Sequence, residues 1–157
     1  MRGKKRIKRP QIKPDYRYQS ILVAKFINKV MLRGQKQTAE KIVYSALAQV
    51  EKELKLPALQ IFDQALKNVS PLVEVRAKRI GGATYQVPME IRSERKVALS
   101  MRWIINAARG NKGKTMQVSL AEELKAAFAS QGSAIAKRDE MHRMAEANKA
   151  FAHYARF

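Results

Sequence analysis

Cysteine is absent from this chain of 157 residues. Its absence excludes disulfides, a thiol nucleophile and any thiolate metal site, and fits a reducing cytosol. Histidine is scarce, with only His142 and His153. They fall on one side of a helical pattern but about three turns apart, too far to chelate one ion. Both read as solvated or phosphate-facing, and no metal or other cofactor is expected. No apolar run approaches the ~20 residues needed to span a bilayer. The basic N-terminus is not followed by the apolar segment of a signal peptide. Acid is also in short supply: 13 Asp and Glu stand against 32 Lys and Arg, for a formal charge of +19 at pH 7. Such a chain repels itself when compact, so an anionic partner is expected to offset the charge. Nucleic acid, an anionic membrane surface and an acidic protein are the candidates.

Catalytic patterns are missing too. Gly81-Gly82 lacks Walker spacing and a following helix start. No G-x-S-x-G elbow occurs. Glu122 and Glu123 are sequence neighbours on a predicted helix, so they diverge and cannot act as a carboxylate pair. An enzyme is not expected.

What is present is enough for one domain: 46% of residues are hydrophobic, at a length that supports a real core. Residues 1–19, "MRGKKRIKRPQIKPDYRYQ", contain eight basic residues and one acidic residue, Asp15. They read as an arm too polar to fold alone. From Ser20, a predicted N-cap, helical periodicity begins. Leu22, Val23, Phe26, Ile27 and Val30 share one face, Lys25, Lys29 and Arg33 recur on another, and Gly34 is the expected stop. A second helix follows from about Lys36, with Ala39, Ile42, Val43, Ala46, Leu47 and Val50 inward. A third starts near Pro57 and carries Leu59, Phe62, Ala65, Leu66 and Val69, ending before Pro71.

The period then changes to two. Val73, Val75 and Ala77 alternate with Glu74, Arg76 and Lys78. After Gly81-Gly82, residues Tyr85, Val87, Met89 and Ile91 alternate with Gln86, Pro88 and Glu90. This predicts a hairpin over about 73–91, with an apolar side that packs and a basic side facing outward. Two strands are marginal alone, so the ribbon must lean on helices or on a partner. A fourth helix after Arg92 buries Val97, Met101, Ile104 and Ala108, with Arg95, Arg102 and Arg109 on a stripe beside them. The segment 109–114, "RGNKGK", reads as a basic loop. A fifth helix, about 115–130, places Leu120, Leu124, Ala127 and Phe128 inward. A last helix to Tyr154 puts Met144, Ala147, Phe151 and Tyr154 on one face and Arg138, His142, Lys149 and His153 on the other. Tyr85 and Trp103 read as packing residues rather than base-stacking platforms. The expected fold is therefore mainly α: a bundle of about six helices with one two-stranded β-hairpin between helices three and four. An arm, 1–19, precedes a single domain, 20–157.

Basic residues recur on several helices, the arm, the ribbon and a loop. Phosphate neutralisation requires many cations on one surface, and arginine adds a planar fork that grips phosphate or stacks on a base. No segment reads as a recognition helix for duplex DNA, and no single helix combines lysines with aromatic membrane anchors. A folded RNA is the favoured partner.

Four blocks, "LVAKFINKVMLRGQKQTAEKIVY", "SPLVEVRAKRIGGATYQVPMEIR", "ALSMRWIINAARG" and "HRMAEANKAFAHY", resemble the bacterial-type small-subunit ribosomal protein seven family. The likeness covers about residues 20–154. It implies a protruding ribbon and primary binding to the 3′ major domain of small-subunit ribosomal RNA, nucleating assembly of the subunit head. It also implies a place near the tRNA exit site, and ribosomal proteins nine and eleven of that subunit as neighbours, in the cytoplasm or in an organelle. The resemblance assigns rRNA contact to Arg2, Lys4, Lys5, Arg6, Lys8 and Arg9 of the arm, and to Lys25, Lys29, Arg33, Lys36, Arg76, Lys78, Arg79, Arg92, Arg95, Arg102, Arg109, Lys112 and Lys114. It puts Gly81, Gly82, His142, Arg143 and Lys149 near tRNA and messenger RNA. The chain departs from the family where Ser70, often a basic residue there, precedes Pro71, and where Ala83, often a hydroxyl residue, follows the glycines. A free translational repressor binding its own messenger RNA and a nucleoid-type DNA binder are the rival readings. Sedimentation separates them, since only the first reading predicts co-migration with small subunits in high salt.

Overall fold

A computed structural model describes residues 11–156; Arg2, Lys4, Lys5, Arg6, Lys8 and Arg9 lie outside the described residues. The element order is α1 (Ile21–Val30), α2 (Lys36–Leu54), α3 (Ala58–Val69), β1 (Val73–Ile80), β2 (Ala83–Glu90), α4 (Ser93–Gly110), α5 (Met116–Phe128) and α6 (Ser133–Ala147), then a 3₁₀ helix, Lys149–Arg156. The fold is mainly helical, and a two-stranded antiparallel ribbon joins α3 to α4.

Local chemistry explains most boundaries. The Ser20 hydroxyl accepts from the Val23 amide and starts α1, satisfying one of the free amides of the first turn. Pro57 stands as the N-cap of α3, where its missing N–H costs nothing. Glu123 on α5 is a cap that periodicity did not reveal. It is buried, and its Oε1 accepts from the Ala134 amide at 2.8 Å, closing the start of α6. Asn68 similarly donates to the carbonyls of Ala127 and Phe128, at 3.0 and 2.9 Å, at the end of α5.

The core joins all six α-helices, with Ala134 and Ile135 entering from α6. Val23, Phe26, Val43, Ala46, Phe62, Ala65, Met101, Ile104, Leu120 and Ala127 are wholly inaccessible. Phe26 and Phe62 meet edge to face with centroids 5.1 Å apart, the geometry their quadrupoles prefer. Trp103 is buried in this core, as its reading as a packing residue requires. α5 runs through the middle of the bundle, packing on α2, α3 and α4.

Four expectations need correction. α1 ends at Val30, and Arg33 (φ 51) and Gly34 (φ 77) form a left-handed turn, so Arg33 leaves the helical stripe of Lys25 and Lys29. α4 runs through Gly110, which keeps Arg109 on the helical stripe and starts the loop, read as 109–114, at Asn111. The last helix is broken. The Asn148 side chain and amide both take the Met144 carbonyl, at 2.8 and 3.2 Å, and the chain tightens into 3₁₀ geometry. Met144 and Ala147 are consequently exposed, while Phe151 and Tyr154 turn toward the ribbon.

The fourth correction concerns the ribbon's faces. Val87 lies opposite Arg76, Tyr85 opposite Lys78 and Met89 opposite Glu74. Directly opposed residues share a face. The apolar stripe of β2 therefore lies with the charged stripe of β1, and neither side is purely basic. The two-residue Gly81-Gly82 loop, with φ of 55 and 91, joins Ile80 to Ala83 and sets this register; positive φ at both positions is the demand that glycine meets.

Candidate nucleic-acid interface

The arginine stripe of α4 is the spine of the candidate site. Residues 95, 102 and 109 recur every seven positions, so Arg95 and Arg109 stand about 21 Å apart along the helix axis. Each end is tied to another element. At the ribbon end, Arg95 Nε donates to Glu74 Oε2 at 2.6 Å. Arg76 donates to the other oxygen of the same carboxylate. Glu74 is only 4% exposed, whereas the Arg76 and Arg95 side chains remain about half exposed, at 52% and 48%. A buried carboxylate thus holds two guanidinium groups side by side and leaves their outer edges in solvent.

At the far end, Arg109 Nη2 donates to the Val30 carbonyl at 3.2 Å, capping the C-terminus of α1. A charge there also complements the helix dipole. Arg102, Arg109 and Lys29 line one polar cleft of about 290 Å³ with Ile105 and Asn106. Lys25 and Lys29 in turn border a more apolar hollow of about 450 Å³ between α1 and α4, floored by Leu22, Val97 and Met101, with Glu94 on its rim. Lys29, Arg102 and Arg109 therefore share one cleft with Lys25 in the adjoining hollow, while Arg95 and Arg76 form a separate pair on Glu74 farther along α4.

Lys36, Lys114, Lys125, Lys137, Arg138 and Lys149 each pair with a carboxylate. The Lys125–Glu53 pair holds the Glu53 carboxyl below its ordinary range and raises the lysine, chiefly through their hydrogen bond. Among the described residues, no ion pair involves Lys25, Lys29, Arg102 or Arg109, and the same holds for Lys41 and Lys52 on α2, Lys67 on α3, Arg79 on the ribbon and Arg143 on α6.

The remaining site residues fall elsewhere. Lys78 points to the C-terminus, donating to the Tyr154 carbonyl at 2.9 Å. Tyr85 packs against Phe151 and Tyr154 with centroids 5.1 and 5.6 Å away; the ribbon leans on the 3₁₀ helix through these rings. Arg79 sits opposite Thr84, on the other face from Lys78, and is exposed near the exposed Gly81-Gly82 tip. Arg92 is the exposed N-cap of α4, and Lys112 is exposed in the loop before α5. His142 is not simply solvated: its Nε2 accepts from the Leu72 amide at 3.0 Å, joining α6 to the entry of the ribbon. Arg143 is exposed on α6, and Lys149 pairs with Glu146 at 3.2 Å. Ser70, where the resembled family often carries a basic residue, bonds Leu66 and Ser100 instead.

Sequence reasoning missed Glu74 and Asp15. Both are lone carboxylates in otherwise basic stretches, a pattern that signals an internal partner rather than a solvated face. Among the described residues there is no group of three or more His, Cys, Asp or Glu that could hold a metal ion, and no helix long and apolar enough to cross a membrane.

The structure is thus a basic helical bundle with a ribbon, in which Lys29, Arg102 and Arg109 share a cleft and a buried Glu74 holds Arg76 and Arg95. The comparisons with known proteins name the family. Residues 2–149 match the family model described as ribosomal protein S7p/S5e, and the chain belongs to that family, one of ribosomal proteins and not of enzymes. It is 55% identical over 150 residues to a protein of Chloroflexus aggregans named small ribosomal subunit protein uS7, covering 96% of each chain. Proteins of the same name from Thermotoga neapolitana and Wigglesworthia glossinidia brevipalpis are 52% identical over 151 residues and 51% identical over 154. The alignments cover 96% and 98% of this chain and 97% and 99% of those proteins.

Proposed function

We propose that this chain is a structural constituent of the small ribosomal subunit that binds the 3′ major domain of its ribosomal RNA directly and nucleates head assembly. The observation that carries this reading is the placing of two cation groups along α4: Lys25, Lys29, Arg109 and Arg102 at the α1 side, and Arg95 with Arg76 on Glu74. Arginine forks held by Glu74 and by the Val30 carbonyl are oriented before RNA arrives, which lowers the ordering cost of binding. The exposed ribbon tip, Gly81-Gly82, and Arg143 extend the molecule toward tRNA and messenger RNA at the exit site. Ribosomal proteins nine and eleven are the proposed neighbours. The repressor reading would use the same face, and no observation favours it.

The test is charge reversal. Changing Arg95, Arg102 and Arg109 to Glu should weaken binding to a 3′-major-domain RNA fragment by a hundredfold or more, because three counterion-releasing contacts become repulsive. Circular dichroism should still report a folded bundle. Unchanged affinity in a folded variant would refute the proposed face.

A further inference from the structure

Tyr16 is 93% exposed, more than any other large hydrophobic side chain among the described residues. A single exposed ring needs no explanation by itself; the mounting of this one does. Beside it, the Asp15 carboxylate is 6% exposed, a burial that is costly unless its oxygens are paired. Oδ1 accepts from the Tyr44 hydroxyl of α2 at 2.6 Å. Oδ2 accepts from the amides of Arg17 and Tyr18, at 3.1 and 3.0 Å. Gln19, in a left-handed conformation with φ 50, closes the turn. Its amide donates to the Asp15 carbonyl at 3.0 Å, and its side chain to the Tyr16 carbonyl at 2.9 Å. The turn sorts its two tyrosines. Tyr18 packs beside Tyr44 with centroids 6.0 Å apart, and the Arg17 guanidinium lies 5.6 Å from the centroid of each. Tyr16 is left in solvent on a backbone fixed from both sides.

Its surroundings are basic. Tyr16 borders a hollow of about 560 Å³ with Lys13, Asn28 and Lys36. Two carboxylates line the same hollow, and both are engaged: Asp15 by the Tyr44 hydroxyl, and Glu40 by Lys36 at 3.7 Å. Asn28 also lines the α1–α4 hollow that carries Lys25 and Lys29. The ring therefore stands at the edge of the candidate interface, joined to it across α1.

We propose that Tyr16 is a stacking platform for an unpaired base of the bound RNA. The inference rests on the RNA-binding reading above and adds a contact that none of its cations supplies. Unstacked bases of a folded RNA seek aromatic faces. A ring with two side-chain torsions on a fixed backbone loses little freedom when a base covers it. A protein partner would also bury the ring, but the lysines around it favour a polyanion.

The test uses the full chain, with a 3′-major-domain RNA fragment as probe, titrated at several salt concentrations. Tyr16→Ala removes the ring, and Tyr16→Phe keeps it without the hydroxyl. Tyr16→Ala should weaken binding by about tenfold. The slope of affinity against salt should not change, because no phosphate contact is lost. Tyr16→Phe should bind within about twofold of the natural chain, since the stacking face remains. Both variants should unfold in urea at the natural midpoint, because the ring buries almost nothing in the free protein. Unchanged affinity of Tyr16→Ala would overturn the platform and leave the cation groups standing. A Tyr16→Phe loss as large as that of Tyr16→Ala would overturn it too, by assigning the contact to the hydroxyl. So would a lowered urea midpoint of Tyr16→Ala, which would show a folding role. Failure of the natural chain to bind the fragment would overturn the RNA reading, and the platform with it.

Discussion

At the scale of single residues, buried carboxylates organise this protein more than its abundant cations do. Glu74 sets the spacing of Arg76 and Arg95, Asp15 ties the N-terminal turn to α2, and Glu123 closes the start of α6. Glu74→Gln should cost about 1–2 kcal/mol, between the value of an exposed pair and that of a fully buried one, because both arginines are half exposed. Chemical denaturation measures it, and faster amide exchange in β1 should accompany the loss. Glu123 makes a prediction about pH. Burial pushes its carboxyl above the ordinary value, against the opposing pull of the Ala134 and Ser133 amides. A raised native-state pKa gives a stabilising contribution that is complete below the ordinary pKa and lost as pH rises through the raised one. The stability of the natural chain relative to Glu123→Gln should therefore decline from pH 4 toward neutrality. A difference that grows over that range would contradict the assignment.

At the scale of elements, the ribbon and the C-terminal segment brace each other. Tyr85, Phe151 and Tyr154 form an aromatic cluster, and Lys78 reaches the Tyr154 carbonyl. Two strands are marginal by themselves, so Tyr154→Ala should raise amide exchange along β2 while leaving α2, α3 and α5 protected. The bracing ends at the Lys78–Tyr85 pair. Replacing residues 79–84 with Asn-Gly should thus keep primary RNA affinity within about threefold, since a type I′ turn suits the shortened hairpin. Retention of deacylated tRNA at the exit site of reconstituted subunits should suffer. Most elements were legible in the sequence because their signals are local: the apolar period of α2, the Ser20 cap, Pro57 and the glycine pair. The faces of the ribbon were not. Each strand's alternation is visible, but which stripe shares a face with which depends on register, and one residue of slip exchanges them. The end of the last helix was hidden for a related reason, because an asparagine competing for a backbone carbonyl leaves the apolar period on both sides intact.

At the scale of the whole molecule, a charge of +19 would fit many solvated arrangements. What marks this one is the gathering of cations at the cleft between α1 and α4 and at Glu74. Lys125 and Lys137 are neutralised by Glu53 and Glu140, while Lys29 shares a cleft with Arg102 and Arg109. The stripe of α4 was legible as a seven-residue spacing; its junctions with α1 and the ribbon were not, because they join residues distant in sequence through Glu74 and the Val30 carbonyl. The most direct measurement is crosslinking of the bound chain to 3′-major-domain RNA, with the attached lysines identified. A single phosphate-facing surface predicts crosslinks at Lys25 and Lys29 and none at Lys125 or Lys137. Crosslinks spread evenly over all four, or confined to Lys125 and Lys137, would contradict it.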